Sequence, residues 1–173
     1  MSRRRRPFLY DRYIFVTINL LKSRAKRRDR DVVRLAHALT RRRRQPCLAL
    51  TAWVFLPDHG HALLDPPYPL TLSRVFQAVK VSSTLSINLR RREAEELWPG
   101  CFFDHALRTV KEYVETVEYL HRHPVRQGLV RRAEDWQGSS LPEYAGVSGE
   151  EQERRCGLRL DRVRLPAEEN TRI

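Results

Sequence analysis

Two apolar runs joined by a two-residue turn constrain this chain more than any other feature. Leu48 to Leu56 (LALTAWVFL) and His59 to Leu64 (HGHALL) are separated only by Pro57 and Asp58. A Pro-Asp pair between strand-like runs marks a turn, so the runs pair as an antiparallel hairpin. A lone hairpin is marginal in water and needs further strands or a helix against its apolar face. Upstream, Tyr13 to Leu20 (YIFVTINL) is β-branched and aromatic and reads as a first strand. Between them, Val32, Leu35, Ala36 and Leu39 recur at helical spacing, with Asp29 or Asp31 as candidate cap and Arg41 to Arg44 closing the segment.

Downstream, Pro66 to Pro69 is a loop, and Leu72, Val75, Phe76 and Val79 open a long helix that runs to about Arg92. Trp98-Pro99-Gly100 breaks the chain, and Cys101 to Leu107 (CFFDHAL) reads as a fourth strand. Val110 to His123 forms a last helix, which Pro124 is expected to stop. The order β-α-β-β-α-β, then a helix, is that of an α+β, ferredoxin-like sandwich. Such a fold is a four-stranded antiparallel sheet with helices on one face, here plus the C-terminal helix that bears Tyr119. Residues 1–145 are assigned to this domain, and the charged, weakly periodic stretch 146–173 to a loosely ordered tail.

His59 and His61 lie two apart on the third strand. Strand side chains alternate faces, so both imidazoles leave the same face and can share a metal ion. Alone, an HxH pair is also compatible with two unrelated polar histidines. The last helix adds context. At about 100° per residue, Val110, Tyr113, Val114, Val117, Leu120 and His121 fall on one stripe, which is expected to pack on the core. Tyr119 falls almost opposite, among Glu112, Glu115, Thr116 and His123, and His123 is its i+4 neighbour. Tyr113 takes the role of core aromatic; Tyr119 does not fit it.

At this point the residues resemble a known family. Leu56-Pro57-Asp58-His59-Gly60-His61 resembles the HUH motif of the small single-tyrosine transposases of the insertion-sequence 200-like type. The stretch VEYLHRHPVRQGLV (117–130) is similar to their tyrosine helix and its exit, and CFFDHALR (101–108) to the block before it. WQGSSLPEY (136–144) resembles the Trp-x-x-Ser-Ser block of the REP-associated tyrosine transposase branch. The resemblance implies a ferredoxin-like fold and a divalent ion, Mg²⁺ or Mn²⁺, held by His59, His61 and His123. It implies Tyr119 as the nucleophile that cuts DNA, leaving a 5′-phosphotyrosine and a free 3′-OH, and single-stranded or hairpin DNA as partner. Two departures stand out: Gly60 occupies a position that is usually bulky and hydrophobic, with a loosened strand as the expected consequence, and His123 stands where Asn or Gln is common. No residue is an evident general base, and Glu115, at i−4 from Tyr119, is a candidate by spacing only. The competing reading is a non-catalytic nucleic-acid-binding module, either an RNA-recognition-like domain or a domesticated transposase. The base-stacking aromatic pattern of the first is not found in Tyr13 to Leu20 or Cys101 to Leu107. The second is disfavoured by intact His59, His61 and Tyr119. A longer relaxase-type nuclease, with its tyrosine elsewhere, is a further rival.

Charge points the same way. Lys and Arg number 33 against 21 Asp and Glu, a formal net charge of +12, and Arg3 to Arg6, Arg41 to Arg44 and Arg90 to Arg92 are clusters. Clustered arginine suits phosphate contacts. Arg3, Arg4, Arg5 and Arg6 form a candidate DNA-binding arm, and Lys80, Arg108, Arg122 and Arg126 are candidate contacts near the site. The longest apolar stretch, Tyr13 to Leu21, is too short to span a bilayer, and no membrane partner is expected. The three cysteines have no CxxC spacing, which fits a reducing cytoplasm. As a DNA-acting protein it is expected with the nucleoid, as a monomer or homodimer. DNA binding is predicted to weaken steeply with salt, and deletion of Arg3 to Arg6 to flatten the slope of log affinity against log salt concentration. An unchanged slope after deletion removes the arm from the binding surface.

Overall fold

The computed structural model describes residues 13–19, 29–43, 48–66, 69–94 and 96–144. Arg3 to Arg6, the boundary proposed at 145 and the tail at 146–173 lie outside the described residues. The elements are β1 (Ile14–Asn19), α1 (Asp29–Arg43), β2 (Ala49–Phe55), β3 (His59–Asp65), α2 (Leu72–Arg91), β4 (Phe103–Ala106), α3 (Val110–Arg126), a 3₁₀ turn (Ala133–Asp135) and α4 (Leu141–Tyr144). The four strands form one sheet in the order β2-β3-β1-β4, with every neighbouring pair antiparallel. This is the expected ferredoxin-like arrangement, with the hairpin β2-β3 at one edge and β4 at the other.

Alternation along β1 divides the two faces. Ile14, Val16 and Ile18 are buried and join Val32, Leu35 and Leu39 of α1 and Val75, Phe76 and Val79 of α2 in one core. Phe15 and Thr17 point the other way, towards α3, whose Tyr119 ring meets the Phe15 ring. α1 and α2 pack on each other and are tied by Arg91, which donates to the buried Asp31 carboxylate at 2.6 Å. Asp31 therefore sits in the first turn of α1 and binds α2. Thr71 caps α2 by accepting from Arg74 N.

The stretch after α3 closes the β2 edge of the sheet. Phe55 N donates to Gly138 O, Ser140 N to Trp53 O, and Trp53 N to Ser140 Oγ. Trp136 Nε1 donates to Phe55 O. The Trp-x-x-Ser-Ser block thus occupies backbone groups along β2 that an unprotected edge strand would expose.

Three sequence expectations need correction. α3 does not stop at Pro124 but runs through it to Arg126, because a proline this close to the end removes one donor from a turn that Gln127 N still closes on His123 O. Val110 and Val114 are not core residues; each is 56% exposed. Tyr113, Val117 and Leu120 do pack on the core, but the buried residues of α3 lie in its C-terminal half, so its first turns project beyond cover. His123, assigned to the outer face, is buried. A helical wheel gives the order of side chains around an axis, not how much of the axis a sheet covers.

Gly60 does not loosen its strand. It pairs with Phe55 across the hairpin, and a Cβ at residue 60 would stand 2.8 Å from one Phe55 ring carbon and closer still to another. Phe55, 1% exposed, fills the volume that a bulky residue 60 would take, an aromatic ring covering a cross-strand glycine. Gly60→Ile is therefore predicted to cost about 1–3 kcal/mol through overpacking. Phe55→Ala alone should cost about 3–5 kcal/mol, and the double variant clearly less than the sum. Urea unfolding midpoints test this; additive costs would refute the steric exchange.

Candidate active site

β3 and α3 bring the candidate residues together. Alternation on β3 aims His59 and His61 at the α3 side, and α3 carries Tyr119 and His123 one turn apart. One ring nitrogen from each of His59, His61 and His123 can be chosen so that all lie within 4.8 Å of one another. His59 Nε2 lies 3.0 Å from His123 Nε2. The Tyr119 ring packs edgewise on His123 at 4.8 Å and on His61 at 5.8 Å between centroids. Tyr119 is half-buried, beside the cluster and outside the apolar core.

Each histidine of the pair is held by a residue that sequence reasoning did not single out. His59 Nδ1 donates to Asp58 Oδ1 at 2.7 Å, and its Nε2 shares a hydrogen bond with His123 Nε2. In the sequence Asp58 belongs to the turn and to the HUH-like block, with no role of its own. His61 Nδ1 hydrogen-bonds the Thr17 hydroxyl at 2.9 Å. With Nδ1 as donor there, Nε2 presents its lone pair to the cluster. Thr17 opposes His61 across β1 and β3, a pairing that only the sheet register reveals.

Electrostatics disfavour a proton on His61 and on His123. His61 is pushed down to about 3 by burial first, then by His59 and His123. His123 is lowered by burial, by His59 and by Arg126, with Asp58 opposing. His61 Nε2 and His123 Nδ1 are buried and have no hydrogen-bond partner among the described residues. Buried polar atoms rarely stay unpaired. Three converging imidazoles, two with their Nδ1 atoms hydrogen-bonded outward and His61 with an unpaired buried Nε2, match the donor set of a divalent-ion site with outer-shell support. The three histidines could hold such an ion.

The other candidates are distributed unevenly. The Arg126 guanidinium lies over the Tyr119 ring, 5.6 Å from its centroid. Arg122 is exposed and pairs with Glu118 at 3.0 Å. Arg108 is exposed, and its backbone N–H donates to Glu112. Lys80 donates to the carbonyls of Pro99 and Cys101, tying α2 to the chain before β4. Glu115 is exposed and lies 3.9 Å from Lys111. His121 is half-buried and hydrogen-bonds Ser140 at 2.8 Å, behind the cluster.

This geometry has counterparts among known proteins. No family model matches the chain. The REP-associated tyrosine transposase of Escherichia coli K12 is 29% identical over 142 residues, covering 82% of this chain and 83% of that protein. A solved structure of a REP-associated tyrosine transposase bound to a REP hairpin superposes with a TM-score of 0.70 at 27% identity, covering 86% of this chain and 88% of the other. The chain is similar to the REP-associated tyrosine transposases. The similarity covers most of the chain and includes the ferredoxin-like sheet.

The depressed histidines make metal-free stability depend on pH. His61, at about 3, and His121, lowered to about 4 by burial, stay neutral in the folded chain while their unfolded counterparts protonate near 6.5. Between those values the unfolded state binds more protons, so stability falls as pH falls from about 6.5. Metal-free protein is predicted to lose stability progressively from pH 6.5 to 4, and His121→Asn to flatten that slope. Urea midpoints across the range decide it; a flat profile would show that neither histidine is held neutral.

Proposed function

We propose that this chain is a DNA strand transferase that cuts single-stranded DNA at hairpin-forming, repetitive palindromic sites and rejoins it through a 5′-phosphotyrosine link. One observation carries the reading: the Tyr119 ring stands against two of three clustered histidines. The hairpin substrate is supported by the relative whose structure holds a REP hairpin. We place the catalytic unit within residues 1–145 and the protein with the nucleoid in the cytoplasm, where its substrate is.

In this reading Tyr119 Oη attacks the scissile phosphorus. The bond from phosphorus to the upstream O3′ breaks, and that oxygen takes up a proton and leaves as a free 3′-OH. The downstream strand stays on Tyr119 through its 5′-phosphate. The link stores the bond, so a 3′-OH can attack it, release the tyrosine and restore a phosphodiester without ATP. Mg²⁺ or Mn²⁺, held by His59, His61 and His123, would supply the positive charge that polarises a non-bridging phosphate oxygen. Thr17 and Asp58 fix the His61 and His59 rings so that their Nε2 atoms converge. Arg126 sets a cation beside the tyrosine, where the phosphate's charge accumulates. Arg108, Arg122 and the Arg3 to Arg6 arm are assigned to backbone phosphates, which position DNA without reading sequence.

The test is incubation with hairpin strands in Mg²⁺ or Mn²⁺, resolved on a denaturing gel with either end labelled. Wild type should form an adduct carrying the downstream fragment. Tyr119→Phe should form none yet still bind DNA, Tyr113→Phe should retain the adduct, and His59→Ala or His61→Ala should reduce cleavage by at least about 100-fold. An adduct that survives in Tyr119→Phe, or undiminished cleavage in EDTA, refutes the assignment.

A further inference from the structure

Beside the cluster, the same face of the sheet stays open. Thr17 opposes His61 on one side and Phe103 on the other. Directly opposed residues of an antiparallel sheet share a face, and the Thr17 hydroxyl bonds His61, so Phe103 belongs to the face that carries the cluster. His61, Thr17 and Phe103 form one row across β3, β1 and β4, about 10 Å from end to end at two strand spacings. In the next row Phe15 opposes His105. The Phe15 ring stacks on His61 and meets Tyr119, and His105 is held by Glu112 at 2.7 Å.

α3 packs on β2 and β3, the half of the sheet that carries the histidine pair. On the β4 half, Phe103 is 66% exposed and the His105 side chain 57%. The neighbouring Phe102 is 8% exposed and packs on Phe76, so the chain already has an inward aromatic here. An isolated exposed apolar residue needs no explanation. Phe103 differs because it sits on a rigid edge strand, where exposed apolar surface is a liability. It also lies in the same row as a candidate metal ligand. The surface continues directly from the place where the scissile phosphate would sit, in a chain of net charge +12.

We propose that Phe103, flanked by His105, is a stacking shelf for an unpaired nucleobase of the DNA strand next to the scissile phosphate. The inference rests on the strand-transferase reading and adds a positioning role: a base held on the shelf fixes the strand's path, so that a particular phosphate reaches Tyr119. Stacking on an aromatic ring accepts any base, so Phe103 contributes to cleavage position and strand affinity rather than to base identity. It also requires single-stranded DNA, because the bases of a duplex are stacked on one another.

The experiment uses the full chain in EDTA, so that binding is read without cleavage. The probes are a blunt DNA hairpin and the same hairpin with a single-stranded flank, carrying 2-aminopurine at each flank position in turn. Wild type should change the 2-aminopurine fluorescence at one or two adjacent flank positions. Phe103→Ala should abolish that change, weaken binding of the flanked hairpin by about tenfold, and leave the blunt hairpin's affinity unaltered. Phe103→Trp should restore both. In Mn²⁺, Phe103→Ala should spread cleavage over neighbouring phosphates. An unaltered fluorescence change in Phe103→Ala overturns the shelf, as does an equal loss of affinity for both hairpins. So does a variant that dissociates a dimer without touching the base signal, which would make the surface a contact between copies. A wild-type adduct with no Phe103-dependent signal sinks the shelf alone. A Phe103-dependent signal with no adduct leaves the shelf as a single-strand-binding surface and sinks the transferase reading.

Discussion

His61 is buried on the sheet with a neutral ring, and the rest of the site depends on that. A histidine in this position cannot carry a proton cheaply, because burial and two neighbouring imidazoles both oppose it. It therefore offers a lone pair at the pH where the chain works. The Thr17 hydroxyl takes the other nitrogen, fixing the ring's plane. Once His61 is fixed, alternation along β3 sends His59 to the same side, and α3 has to cross above with His123 and Tyr119 on its underside. The sheet supplies the rigid half of the site and the helix the reactive half.

That crossing is held by contacts far from the chemistry. The stretch from Trp136 to Ser140 bonds along the β2 edge, while Ser140 also meets His121 on α3. Tyr144, in α4, donates to the Thr51 carbonyl of β2. The segment after the tyrosine helix is thus a strap that returns to the sheet and sets the height of α3 above β3.

Gly60 illustrates how a departure from a family pattern can be read too simply. The position looked like a loss of packing because a strand glycine contributes no side chain. In the fold the volume is not lost but supplied from across the hairpin by Phe55. Which of two cross-strand neighbours fills a shared space is a property of the pair, and only the register identifies the partner.

Periodicity and turn chemistry in the sequence determined the four strands, the three long helices, their order and the shared face of His59 and His61, because those depend on near neighbours along the chain. They also placed Tyr119 and His123 one turn apart. Tertiary structure decided the rest: that His123 is buried, that Val110 and Val114 are exposed, that Thr17 and Asp58 hold the imidazoles, that Asp31 binds Arg91, and that Phe103 shares a row with His61. Each depends on which residues far apart in sequence lie opposite one another. A periodic pattern repeats along its own element and carries no record of the register in which two elements meet.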